Sequence, residues 1–118
     1  MRLVELLRWQ WEGYPRYHRS RANLLLHIVV VPVFLAGNLG LLAALLARSP
    51  ALAVASLAAM LASVAAQGRG HALEEHPPEP FTGPANAVSR LVLEQWITFP
   101  RYVLTGGWLQ ALRRARPT

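Results

Sequence analysis

From Leu24 to Ala47 the chain is almost unbroken apolar sequence, "LLLHIVVVPVFLAGNLGLLAALLA", and a second apolar stretch, "ALAVASLAAMLASVAA", runs from Ala51 to Ala66. The "RSP" between them reads as a turn, because proline cannot continue a preceding helix. At ~1.5 Å per helical residue the first stretch is long enough to cross a hydrocarbon core of ~30 Å, and the second is marginal. The pattern predicts a hairpin of two helices, over 24–47 and 51–66, either crossing a membrane or forming the central pair of a soluble bundle.

Flanking segments alternate apolar and polar positions at helical spacing. Residues 1–17 predict a short amphipathic helix with Leu3, Leu7, Trp11 and Tyr14 on one stripe, suited to a membrane interface. They lack the central apolar region and the cleavage site of a secretory signal. A C-terminal helical segment is expected over 88–112. Within it "NAVSRLVLEQWITF" runs from Asn86 until Pro100 interrupts it, and "TGGW" turns the chain. Between hairpin and C-terminal segment, 67–87 is expected to be a loop carrying site residues, including the rigid connector "HPPEPFTGP". The whole, 1–118, reads as a single domain: an all-α, small helical membrane protein with a central transmembrane helical hairpin flanked by amphipathic interfacial helices.

Charge strengthens the membrane reading. All twelve basic residues are arginine; five precede Asn23, six follow Gln67, and Arg48 lies between. Basic residues at both outer ends and almost none at the hairpin tip follow the positive-inside tendency, so both termini and the polar residues beside them are expected on the cytoplasmic side. The net charge of +6 would also suit nucleic acid, but the arginines flank greasy spans and do not line one polar face. Arg19, Arg21 and Arg69 read first as interfacial snorkelling residues and second as clamps for a carboxylate or phosphate. The absence of cysteine excludes disulfides, thiolate ligands and cysteine nucleophiles. No glycine-rich phosphate loop, G-x-S-x-G or H-E-x-x-H is present.

The chemistry concentrates at the arginine-bearing end of the hairpin. Asn23 and His27 are one helical turn apart, and Gln67, His71 and Glu75 repeat that spacing at the end of the second apolar stretch. An antiparallel hairpin brings both groups to one level. His18 lies nine positions before His27, on the opposite face of a straight helix, so the chain must bend near Ser20 for the two to meet. The expected result is one metal site with His18, His27 and His71 as ligands and His76 as a less favoured fourth. Glu75 is the expected catalytic carboxylate or further ligand, and Asn23 and Gln67 are expected to orient the ligand imidazoles. Imidazoles suit iron, zinc, copper or nickel. Glu74 is expected in solvent and His76 in a loop.

These residues resemble the metabolism-of-phytosphingosine-like membrane proteins. "YHRSRANLLLHIVVVP" is similar to that family's first motif through Tyr17, His18, Asn23, His27 and Pro32, and "AAQGRGHALEE" to its second through Gln67, Gly70, His71 and Glu75. The similarity extends along "PPEPFTGPANAVSRLVLEQWITFPRYVLTGGW", with Val30 standing where many members have glycine. The resemblance implies a membrane-bound iron(II)-dependent dioxygenase that shortens 2-hydroxy fatty acids by one carbon, with Fe(2+) as cofactor and a fatty acid, dioxygen and membrane lipid as partners. A non-catalytic membrane hairpin or lipid-organising protein is the alternative; it would leave the spacing of the histidines and amides unused.

Overall fold

In a computed structural model the described residues, 2–115, are helical throughout apart from connecting loops. Arg116 and Thr118, at the end of the expected domain, lie outside them, as does Met1. Helix α1 (Leu3–Gly13) runs into a 3-10 turn (Tyr14–Tyr17). The hairpin follows as α2 (Arg21–Ala47) and α3 (Pro50–His71). After a loop come α4 (Pro84–Leu93), a π-helical turn (Glu94–Thr98), α5 (Phe99–Leu104) and α6 (Gly107–Arg114). Among the described residues there is no strand.

The hairpin forms where the sequence places it, but both helices are longer than the apolar runs. Ser20 caps α2 by accepting the Asn23 N–H at 3.3 Å, so the helix starts three residues before Leu24. At the tip, Arg48 adopts a left-handed conformation with φ 51°. Ser49 then caps α3 by accepting from the Leu52 N–H, and Pro50 occupies the first turn, where its missing N–H costs nothing. Helix α3 does not stop at Ala66: its backbone bonds continue to His71, and since α4 begins at Pro84 the connecting loop covers only 72–83 of the expected 67–87 segment.

Small residues bring the two long helices together. A Cβ on Gly37 would stand 2.6 Å from Met60 Cγ, and one on Gly70 would overlap Asn23 Oδ1. Close backbone approach is how helices pack where the surroundings are as apolar as the side chains. The outward faces are apolar and bare: Leu39, Leu42, Leu45 and Leu46 of α2 and Val54, Leu57 and Leu61 of α3 are all exposed, Leu46 to 80%. Both helices are long and apolar enough to cross a membrane, with only 22% and 17% of their most apolar windows buried. The central helices of a soluble bundle would instead be mostly buried, and an apolar surface this extensive is what soluble monomers avoid.

The flanking helices fold back over the arginine-bearing end of the hairpin. Tyr14, Val31, Phe99 and Tyr102 form the buried apolar cluster, with Trp11 and Trp108 packed against it. The Trp108 indole N–H donates to the Leu24 carbonyl at 2.9 Å, and the Trp96 indole to Asn38 Oδ1 at 2.9 Å. Two expectations are corrected here. The inward stripe of α1 is Leu6, Gln10 and Tyr14, whereas Leu3 is exposed. Gln10 can face inward because its amide donates to the Arg90 carbonyl (2.7 Å) and accepts from the Thr98 hydroxyl (2.8 Å). Pro100 does not end the helix before it, because a π turn over Glu94–Thr98 widens the helix ahead of the proline, which then sits in the first turn of α5.

Candidate metal centre

Three separate elements deliver the histidines. His18 follows the 3-10 turn in a non-helical conformation (φ −133°, ψ 65°), which is the bend expected before Ser20. His27 sits two turns into α2, and His71 is the last residue of α3. The three rings form a nearly equilateral triangle, with centroids 5.1 Å apart for His18 and His27, 4.9 Å for His18 and His71, and 5.0 Å for His27 and His71. Their planes are close to mutually perpendicular, at 90°, 78° and 84°.

Backbone carbonyls fix the protons of two of the rings. His18 Nδ1 lies 2.8 Å from the Tyr14 carbonyl and His27 Nδ1 lies 3.0 Å from the Asn23 carbonyl. A carbonyl oxygen only accepts, so each Nδ1 carries the hydrogen and each Nε2 presents a lone pair. Both Nε2 atoms are buried without a hydrogen-bond partner, and so is His71 Nδ1. Buried polar atoms without partners are rare in a folded protein, and three around one point call for an explanation. Burial, then the neighbouring His27 and His71, hold the His18 imidazole well below its ordinary pKa. It is therefore neutral at pH 7, the form that binds metals.

The fourth member is Glu94, in the first position of the π turn. One ligand atom each from His18, His27, His71 and Glu94 lies within 4.8 Å of all the others, and among the described residues this is the one such group. Glu94 Oε2 accepts from the Tyr14 hydroxyl at 3.0 Å and stands 4.0 Å from His18 Nε2. The Tyr14 ring stacks on His18 with centroids 3.8 Å apart, so one tyrosine positions two members of the group. Burial pushes the Glu94 carboxyl up to about 7. The set fits a divalent metal: imidazole lone pairs with no other use, a carboxylate to offset charge, and accepting groups behind the rings, as around metal-ligating histidines generally.

The remaining expected site residues lie elsewhere. His76 sits in the loop after α3 and is outside the group. Glu75 is exposed and also outside it, on the wall of a cavity of about 470 Å³ that His18 also lines. Its neighbour Glu74, expected in solvent, is the buried one. Its Oε1 accepts the Arg19 N–H at 2.8 Å, and its Oε2 accepts the Ser20 N–H at 3.1 Å and the Asn23 amide at 2.6 Å. Glu74 thus caps the start of α2 and holds the His18 segment against the end of α3.

Neither amide touches an imidazole through its side chain. Asn23 supports His27 by its backbone carbonyl, while its carboxamide serves Glu74. Gln67 bonds Ser63 Oγ and exchanges two hydrogen bonds with Gln95, at 2.9 and 2.8 Å. Arg19, Arg21 and Arg69 are exposed. Sequence reasoning missed Glu94; the adjacent polar pair Glu94 and Gln95 inside "RLVLEQWITF" is the signal that marks it.

No protein-family profile, curated protein or solved structure matches the chain.

Proposed function

We propose that the protein is a membrane-embedded iron(II)-dependent dioxygenase that shortens 2-hydroxy fatty acids by one carbon, with its site at the arginine-rich, cytoplasmic end of the hairpin. The observation that carries this reading is the set of unpartnered imidazole nitrogens on His18, His27 and His71 facing one another beside Glu94. The motif resemblance around His18, His27 and His71 supplies the reaction. A donor set of imidazoles with one carboxylate suits ferrous iron in oxygen chemistry. Iron, when bound, would supply the redox centre at which dioxygen and the 2-hydroxy acid meet.

The chain's own groups do the rest. The Tyr14 and Asn23 carbonyls keep two imidazoles in the tautomer with a free Nε2, and the Tyr14 hydroxyl holds the Glu94 carboxylate toward the same point. Phe99, at 6.1 Å from the His27 ring, and the apolar cluster around it limit water on one side. The bare apolar faces of α2 and α3 support a site at a bilayer surface, where an amphiphile would keep its alkyl chain in lipid.

Anaerobic purification in detergent, elemental analysis and mass spectrometry of products from a 2-hydroxy fatty acid test the proposal together. The expected result is one iron per chain and an oxygen-dependent product one carbon shorter. Alanine at His18, His27 or His71 abolishes both, whereas His76→Ala and Glu75→Gln retain the metal. A full complement of zinc without product refutes the oxygenase, and an alanine variant with full iron removes that histidine from the ligands.

A further inference from the structure

Beside the histidine triangle lies a cavity of about 460 Å³, within the ~300–1,000 Å³ typical of small-molecule sites. His18, His71 and Glu94 line it, His18 fully buried. The rest of its wall is mostly apolar, with Trp9 and Gly13 from α1, Leu91 from α4, and Pro77, Pro78 and Phe81 from the loop above. Arg90 fixes that loop: its guanidinium packs on Trp9 and Phe81, at 4.9 and 4.4 Å, and donates to the Glu79 and Pro80 carbonyls.

The other wall belongs to α3. Val54, Leu57, Leu61 and Val64 are all exposed and recur every three or four residues, so they form one stripe on the outward face of that helix. Continuing the stripe by one turn gives Gly68, and one turn further gives His71. Val64, Gly68 and His71 all line the cavity. The lipid-facing stripe of α3 therefore leads without interruption into the cavity and ends at a metal-binding imidazole. Gly68 marks the threshold: a Cβ there would meet nothing within 4 Å, whereas at Gly70 it would collide with α2. Helix packing accounts for Gly70 and not for Gly68.

We propose that this cavity is an acyl channel: a single straight-chain fatty acid enters sideways from the bilayer across Val64 and Gly68, its carboxyl end toward His18 and His71, and the open position at Gly68 sets which chains pass. This deepens the oxygenase reading and rests on it for the reaction, but not for the binding. The wall joins the titratable groups of the histidine cluster to a mostly apolar lining, the two kinds of surface an amphiphile needs.

The test uses metal-free protein in lipid nanodiscs and a saturated fatty acid carrying a photoreactive diazirine a few carbons from the carboxyl group. Adducts are expected on Val64, Ala72 and Phe81, competed by unlabelled long-chain fatty acid and not by a phospholipid. A Cβ at Gly68 meets no atom within 4 Å, so Gly68→Trp can put an indole into the threshold, and channel adducts fall at least about tenfold. Iron content of the separately loaded variant stays at the wild-type level. Val64→Trp, one turn away, produces the same loss and replaces it should the first variant lose helicity. Adducts spread evenly over Val54, Leu57 and Leu61, or unchanged in both tryptophan variants, overturn the channel and indicate ordinary lipid contact. Wild-type protein that cross-links in the channel but holds no iron keeps this inference and refutes the oxygenase, and iron without channel adducts does the reverse.

Discussion

Gln67 on α3 and Gln95 on the π turn donate to each other's carboxamide oxygens, at 2.9 and 2.8 Å, with both side chains buried. This closed amide pair ties the helix that carries His71 to the turn that carries Glu94. Gln67 also reaches Ser63, whose hydroxyl donates to the Val30 carbonyl of α2, so a line of hydrogen bonds crosses all three elements. Removing Gln67 leaves the Gln95 amide buried without a partner, and removing Gln95 leaves the Gln67 amide only its bond to Ser63. Gln67→Ala and Gln95→Ala should each destabilise by about 1–3 kcal/mol, and Gln67→Leu with Gln95→Leu by less than the sum of the single leucine changes. Denaturant unfolding in detergent measures the stabilities, and elemental analysis shows whether Glu94 has moved. Additive losses would mean that the two amides do not depend on each other.

The hairpin and the meeting of the three histidines were legible in the sequence because both depend on local signals. Apolar runs, a proline turn and a capping serine fix α2 and α3, and one bend before Ser20 brings His18 over. Glu94 was not legible, because it stands at the start of a π turn that shifts the register of the helix. A π turn leaves no trace in apolar periodicity. The choice between Glu74 and Glu75 was equally hidden, since it depends on where α3 ends and how the next turn points two adjacent carboxylates. Support for His18 and His27 comes from the Tyr14 and Asn23 backbone carbonyls, which any residue supplies, so the side-chain role expected of Asn23 and Gln67 has no signal in residue type.

Glu74 should behave as a structural carboxylate that acts on the metal at a distance. Its oxygens satisfy two backbone N–H groups ahead of α2 and the Asn23 amide. Glu74→Ala leaves these donors unmet and should cost about 1–3 kcal/mol or somewhat more. It also releases Arg19 and Ser20, and with them the His18 segment. Metal affinity should drop while His27 and His71 stay in place, visible as a weaker but not abolished uptake in a titration. Glu75→Ala, at the exposed neighbour, should leave the affinity near wild type, and equal losses in both variants would place the two carboxylates in one role.

The hairpin predicts a sidedness that the absence of native cysteine makes simple to read. Single cysteines at Arg2, Arg113 and Ala51 lie at the two flanking helices and at the hairpin tip, all exposed. The first two should react with a membrane-impermeant maleimide only from the cytoplasmic side, and Ala51→Cys only from the other. Reaction of all three from one side would refute two crossings and leave the hairpin lying at the surface.

Protonation of the metal-free site should leave a mark on stability. Burial is the main reason the Glu94 carboxyl titrates at about 7 in place of its ordinary 4.5, against the opposing pull of the Tyr14 hydroxyl and Arg90. Between those two values the folded chain keeps a proton that the unfolded chain has released, so this contribution to stability is full below about 4.5 and is lost as pH rises through about 7. His18 acts in the opposite direction. Burial, then His27 and His71, hold it below 6.5, so the unfolded chain takes up the proton first and stability is lost as pH falls below that value. Glu94→Gln separates the two, because it preserves the shape and removes one titration. Without metal the variant should match wild type near ~pH 4.5 and exceed it at ~pH 8, where wild type must keep a buried carboxylate charged. With ferrous iron bound the order should reverse at ~pH 8, because the cation favours the ionised carboxylate and the amide is a poor replacement ligand. Unfolding midpoints at both pH values, with and without metal, decide the matter. A metal-free variant less stable than wild type at the higher pH would show that Glu94 is already compensated there and has no charge left to offer a metal.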